Sequence, residues 1–246
     1  MRIKPLLAAL AAVMAASAAQ AQSDVVRLGV SNDRSGIYSD LGGLGSEMSV
    51  RMAVEDFGGK VAGKTVEVIG ADNQNKADVA SALVRRWFDT QGLVAVVDGG
   101  ASSAGLAAQG VAKEKGGTAL ISGGFAGDFS GKQCSNLSTQ WAPDTYALAN
   151  AVVKSVVESG GKSWYFITTD YVFGKSLESN ATRFVQNAGG KVLGSTRHPL
   201  GAMDFASFLV QAQSSKADVV GLASAGGDLV NLIKHCLLYT SPSPRD

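Results

Sequence analysis

The sequence predicts an α/β fold, parallel sheet covered by helices on both faces, and three observations predict it. Short β-rich runs alternate with longer stretches whose apolar residues recur at helical spacing. The connections between them are short. Most of the helical stretches end in glycine, the residue that stops a helix. Sustained β-α-β-α order of this kind leaves few topologies besides a parallel sheet with crossover helices.

The elements follow in order. VVRLGV (Val25 to Val30) predicts the first strand, and LGSEMSVRMAVEDF the first helix, with an apolar stripe at Met48, Met52 and Val54 to Phe57. TVEVIGA (Thr65 to Ala71) is the second strand. In KADVASALVRRWFDTQG, Val79, Leu83, Val84, Trp87 and Phe88 share one helix face and Gly92 ends it. LVAVVD (Leu93 to Asp98) and TALIS (Thr118 to Ser122) flank the helix SAGLAAQGVAKEKGG. After DTYALANAVVKSVVESGG come SWYFITT (Ser163 to Thr169), the helix FGKSLESNATRFVQNAGG, KVLGSTRH (Lys191 to His198), DFASFLVQAQSSK and ADVVGLAS (Ala217 to Ser224). GGDLVNLIK opens a last amphipathic helix.

One motif points elsewhere. GGKVAGKT (Gly58 to Thr65) satisfies the phosphate-loop pattern GxxxxGK[ST]. That loop needs a strand before its glycines and a helix after its Lys-Ser/Thr. Here a helix precedes and a strand follows, so the glycines stop a helix, Lys64 reads as a solvated turn residue, and nucleotide binding is not expected.

The two ends read differently from the rest. Residues 1–21 carry Arg2 and Lys4, an apolar stretch, and Ala19-Gln20-Ala21, so they are expected to be a secretory signal peptide cleaved after Ala21. CLLYTSPSPRD (Cys236 to Asp246) interrupts the last helix with a polar, proline-bearing tail. It resembles the translation of a transposon-type sequencing adapter and is expected to be non-native, which leaves Cys236 without meaning and His235 suspect.

Without three basic residues and one acidic residue at these ends, 19 basic and 20 acidic residues remain in a chain with no basic run. That balance excludes nucleic acid and anionic membrane surfaces as expected partners. Cys134 alone permits no intramolecular disulfide, and spacings such as CxxC or HExxH are missing from the sequence.

Ligands of open parallel sheets sit beyond the carboxyl ends of the strands. The loops there are SNDRSGIYSDLGG, GGASSAG, GGFAGDFSG, TDYVFGKS and ASAGGD. In GGASSAG, Ser102 and Ser103 are expected to cap the next helix, where hydroxyls and free N–H groups hold an anion such as a carboxylate. A plain N-cap explains the same residues, and both readings stay open here. GGASSAG approaches the nucleophile elbow GxSxG, but Ala stands where a glycine is required, and neither histidine is placed as a base. An enzyme is not expected.

VRLGVSNDRSGIYSDLGGLGSEMSVRMAVEDFGG, ADNQNKADVASALVRRWFD, DTYALAN, GGKSWYFITTDYVFG and KVLGSTRHPL together resemble the type I periplasmic substrate-binding proteins of ABC transporters, the branched-chain amino acid-binding family. The resemblance runs from Gln22 to Lys234. It implies two doubly wound, Rossmann-like lobes, 22–141 and 142–235, with a crossover through SNLSTQW and a small ligand in the cleft between them. It also implies delivery of that ligand to a membrane permease, a periplasmic location, a monomer when full-length, and no cofactor. In the family the chain later returns to both lobes, so the fold is expected to be incomplete at its C-terminus and to expose apolar surface.

Residue by residue, the resemblance implies a loop aromatic at Tyr38, a carboxylate-holding pair at Ser102 and Ser103, and backbone donors at Gly124 and Ala126. In the second lobe it implies an aromatic at Phe173, with Tyr171 supplying a hydroxyl, and a roomy position at Ala225, where another aromatic often closes the pocket. The residue that pairs with an amino acid's ammonium group in the family usually lies beyond this chain. Two ligand classes remain open: an aliphatic amino acid or amide, and an aromatic or other apolar carboxylic acid. A ligand-sensing receptor domain shares the same fold.

Overall fold

The computed structural model describes residues 24–240; the signal-type segment and residues 241–246 lie outside that range. Strand β1 (Val25–Asn32) runs two residues past the apolar VVRLGV and so carries Asn32 into the buried carboxyl end of its sheet. Helix α1 (Gly43–Asp56) follows. Then β2 (Lys60–Val61) and β3 (Lys64–Asp72) pair antiparallel, Lys60 opposite Thr65 and Val61 opposite Lys64. Ala62 and Gly63 between them have φ of 50° and 79°, the left-handed pair that a two-residue hairpin turn requires. The phosphate-loop lookalike is thus a helix stop and a hairpin, and Lys64 is a half-buried strand residue rather than a solvated turn residue.

Helix α2 (Ala77–Gln91) packs through Ala80, Leu83, Val84 and Trp87, spaced three and four apart, and ends at left-handed Gly92. After β4 (Leu93–Asp98), α3 (Ser102–Lys115) and β5 (Thr118–Ile121), a short strand β6 (Ser138–Gln140) closes the first sheet. The order is β2-β3-β1-β4-β5-β6. SNLSTQW, expected as a bare crossover, therefore contributes an edge strand parallel to β5. Three residues of mixed polarity give no periodic pattern, which is why the sequence hides it.

The second sheet has order β8-β7-β9, all parallel, from β7 (Ser163–Thr169), β8 (Lys191–His198) and β9 (Val219–Ala223). Helix α4 (Thr145–Glu158) leads into it, capped by Asp144, whose carboxylate accepts from the Ala147 N–H at 2.8 Å. Helices α5 (Val172–Asn187), α6 (Ala206–Ser214) and α7 (Gly226–Thr240) complete the described chain. Helix α7 continues through Cys236 to Thr240, past the interruption expected after His235. Leu237, Leu238 and Tyr239 are compatible with a helix, and the first proline comes only at 242.

Apolar burial divides with the sheets. Val84, Trp87, Val96, Val111 and Ile121 form the core of the first. Trp87 packs close against β1 at Gly29, where a Cβ would sit 2.7 Å from the indole. Val153, Val157, Trp164, Phe166 and Val185 form the core of one face of the second sheet, and Ile167, Phe205 and Leu232 that of the other.

Helix α1 departs from expectation. Its Met48 and Met52 are more than half exposed, as are Leu44 and Phe57 beside them. The side it turns to the sheet carries Glu47, which accepts from Arg34 and Arg51, while Arg51 also donates to the Val68 carbonyl at 2.9 Å. Ionic docking, rather than the apolar stripe, orients this helix. Among the described residues no helix is long and apolar enough to cross a membrane.

Candidate functional site

The carboxyl ends of the strands in both sheets face a common cleft of about 520 Å³. The first-sheet wall is made by a left-handed run at the end of β4. Asp98, Gly99 and Gly100 have φ of 73°, 76° and 66°, which turns the chain sharply into α3. A Cβ at Gly100 would press against Asn32 Cα at 3.2 Å and the Asn73 amide at 3.1 Å, so only glycine lets the loop settle onto β1.

This turn brings Ser102 to the cleft but does not make it a cap. The N-cap position of α3 is Ala101, with no side-chain cap, and Ser102 is the first helical residue. Its Oγ accepts from the N–H groups of Phe125, at 3.3 Å, and Ala126, at 3.1 Å. A hydroxyl has two lone pairs and one proton. With both lone pairs committed, what Ser102 has left for the cleft is its proton. The uncapped first turn of α3 adds N–H groups without intrahelical partners and the positive end of the helix dipole.

The expected site residues fall into two groups. Tyr38, Ser102, Tyr171, Phe173 and Ala225 line the cleft. Ser103, Gly124 and Ala126 do not. Ala126 is fully buried and its N–H is the one that Ser102 takes. Gly124 is a packing residue: a Cβ there would lie 2.3 Å from the Phe129 ring, and its carbonyl accepts from Gln140 at 2.8 Å. The loop after β5 thus spends the Ala126 N–H on Ser102, and Gly124 takes no part in the lining of the cleft.

Other lining residues were missed by sequence reasoning. Phe125 meets Phe173 edge to face with centroids 6.2 Å apart, an aromatic corner contributed by both halves of the cleft. Leu148 of α4 lies in the same wall. Asn32 and Asp98 supply buried polar groups at strand ends, and Ser122 an exposed hydroxyl. Asp98 and Ser122 are the last residues of the runs LVAVVD and TALIS, and that position was the available signal.

Tyr38 and Tyr171 bridge the cleft through their hydroxyls, with ring centroids 6.1 Å apart. Burial pushes both phenols well above the ordinary tyrosine range, so both stay protonated and able to donate. The Gly227 N–H donates to the Ile37 carbonyl at 3.0 Å, and the Thr145 N–H to the Phe125 carbonyl at 2.8 Å, tying the same two sides together. His198, fully buried, contacts Thr169 through Nε2 at 3.1 Å and the Pro199 carbonyl through Nδ1 at 2.9 Å; it is held inside the second sheet rather than beside Ser102. Among the described residues no group of three His, Cys, Asp or Glu is arranged to hold a metal ion.

Comparison with known proteins agrees with this architecture. The family model for periplasmic binding proteins matches residues 25–237. A periplasmic binding protein from Burkholderia mallei is 48% identical with a TM-score of 0.85, over 88% of this chain and 58% of that one. A branched chain amino acid ABC transporter periplasmic ligand-binding protein from Burkholderia xenovorans is 33% identical with a TM-score of 0.72, over 89% and 59%. A solute binding protein of an ABC transporter from Rhodopseudomonas palustris, in complex with 3,4-dihydroxybenzoic acid, shares the fold at 19% identity and a TM-score of 0.78, over 88% and 59%. No match is found among curated proteins. The chain spans a little under three fifths of the length of the structures it matches. From the family match and the 48% identical relative, the chain belongs to the periplasmic binding protein family and has its type I fold.

Proposed function

We propose that this protein is an extracytoplasmic solute-binding protein that holds a small carboxylate with an apolar body in the cleft between lobes 22–141 and 142–235, and delivers it to an ABC transporter permease from the periplasm. The observation that carries this reading is Ser102, whose lone pairs are both taken, so that its proton and the uncapped turn of α3 present donors to the cleft. Donors without acceptors, at the positive end of a helix, suit an anion. Phe125 and Phe173 offer the apolar wall, and Tyr38 and Tyr171 close over it. Ser103, Gly124 and Ala126 support the site as neighbours rather than as contacts. A binder is the reading that suits Ser102, whose Oγ is engaged by two backbone N–H groups. The 33% identical relative, a branched chain amino acid ABC transporter periplasmic ligand-binding protein, favours leucine-like ligands, and the aromatic corner also suits aromatic acids.

The test is calorimetric titration with acid and amide pairs, leucine against leucinamide and benzoate against benzamide. One charge-assisted hydrogen bond corresponds to about 1.5–3 kcal/mol, so the acid of the preferred pair is expected to bind about ten- to a hundredfold tighter. Equal binding of acid and amide contradicts the anion seat.

A further inference from the structure

The loop after β1 and the first turn of α7 meet across the cleft, and they meet backbone to backbone. The Gly227 N–H donates to the Ile37 carbonyl at 3.0 Å. Gly227 is the second residue of α7, so its N–H is one of the helix-start donors that no carbonyl of the same helix can reach. Its acceptor comes from the other side of the cleft.

Each partner is braced by a buried carboxylate of its own. Asp33, 2% exposed, accepts from the Gly36 N–H at 2.8 Å on one oxygen and from the Tyr38 N–H at 3.1 Å on the other. That folds residues 33–38 into a tight loop, and the Ile37 carbonyl between the two anchored amides goes to Gly227. Asp228, 1% exposed, accepts from the Gly201 N–H at 3.0 Å and so ties the start of α7 to the turn after β8. Between the two braced segments the fit needs glycine. Gly226 has a φ of 59°, and a Cβ there would stand 2.6 Å from the Ile37 carbonyl oxygen and 2.7 Å from the Tyr38 ring. A backbone oxygen held in a braced loop cannot step aside as the end of a flexible side chain can.

We propose that loop 33–38 and the first turn of α7 form a closing latch, which favours the closed cleft whether or not a ligand fills it, with Asp33 as its positioning residue. The inference rests on the reading of the cleft as a ligand site, because a cleft that admits a ligand must part. It does not draw on the ligand's chemistry. Parting leaves the Gly227 N–H to water, and closing returns it to Ile37; every group in the contact belongs to the protein.

The experiment is hydrogen exchange at the Gly227 amide, with small-angle scattering, on the purified protein without added ligand. An N–H in the first turn of a helix has no partner within that helix, so protection at Gly227 reports the latch. The unmodified protein is expected to show it. A Gly227 amide that exchanges as fast as one in an open chain overturns the inference, and this arm needs no variant. Gly226→Ala is expected to lower the protection about two- to tenfold, the range set by one neutral hydrogen bond, and to raise the radius of gyration. Asp33→Asn leaves α7 untouched but offers one acceptor oxygen to two N–H groups, and is expected to lower the protection as well. The double variant is expected to lose hardly more than Gly226→Ala alone, because both changes act on one contact. Melting curves check that each variant is folded; should Gly226→Ala not fold, Asp33→Asn carries the same comparison. Unchanged protection in a folded variant, or losses that simply add, overturn the latch. A second readout is stopped-flow with leucine and with benzoate. For whichever binds, Gly226→Ala is expected to speed release about two- to tenfold while association stays within about twofold, since the latch forms after entry. Unchanged release with altered association contradicts it. If neither ligand binds, the carboxylate reading falls and the exchange arm still decides the latch.

Discussion

At the scale of single residues, Ser102 and Ser103 look equivalent in the sequence and are not equivalent in the structure. Only Ser102 lines the cleft, and its Oγ also anchors the loop after β5. Ser102→Ala is therefore expected to weaken carboxylate binding by about ten- to a hundredfold, and to cost about 1–3 kcal/mol of stability because two amides lose their acceptor. Ser103→Ala is expected to change affinity little; calorimetry and thermal melts of the two variants check the split. The hydroxyl pair Tyr38–Tyr171 is a second residue-level target. Either Tyr→Phe change removes one hydrogen bond across the cleft, about 0.5–1.5 kcal/mol, and the double variant should cost hardly more than one single variant. Additive losses in a double-mutant cycle would mean that the hydroxyls act separately. Phe125 was not legible as a site residue, because a single aromatic in a loop has no periodic signature, and Asp98 had only its place at a strand end to mark it. Their roles appear only when loops distant in sequence converge.

Elements were read more reliably than residues, and the reasons differ by element. Helix α2 was legible because Leu83, Val84 and Trp87 repeat at helical spacing and bury on one face. The hairpin β2–β3 and the edge strand β6 were not, since two or three residues are too few to show alternation. Helix α1 was read as apolar-docked, whereas Glu47 with Arg34 and Arg51 faces the protein. Burial pushes the Glu47 carboxyl up, but the combined hydrogen bonds and charges of Arg51 and Arg34 outweigh that and hold it below its ordinary value of 4.5. A carboxyl lowered on folding contributes stability above its unfolded pKa and loses that contribution as pH falls through the folded value. Glu47→Gln is thus expected to cost about 1–2 kcal/mol at neutral pH, and progressively less as the pH drops below the ordinary glutamate range. Melting curves of both proteins across that window check it; a deficit that stays constant with pH contradicts the ionic account of this helix.

For the whole molecule, alternation of strand and helix was sufficient to give parallel sheets with helices on both faces, and the division into two sheets followed from the resemblance rather than from periodicity. What the sequence could not show is how the two sets of loops meet, because Tyr38 and Tyr171 are 133 positions apart and no local pattern links them. That meeting is what creates the cleft, with donors from α3 on one side and Phe173 on the other. The central claim is that this cleft holds a carboxylate at Ser102, and the position of a bound ligand tests it most directly. A crystal structure with the tighter-binding acid of the two pairs is expected to place a carboxylate oxygen within hydrogen-bonding distance of Ser102 Oγ and the first-turn amides of α3, with the apolar body against Phe125 and Phe173. A ligand seated outside this cleft, or one whose carboxylate points away from Ser102, would contradict the account.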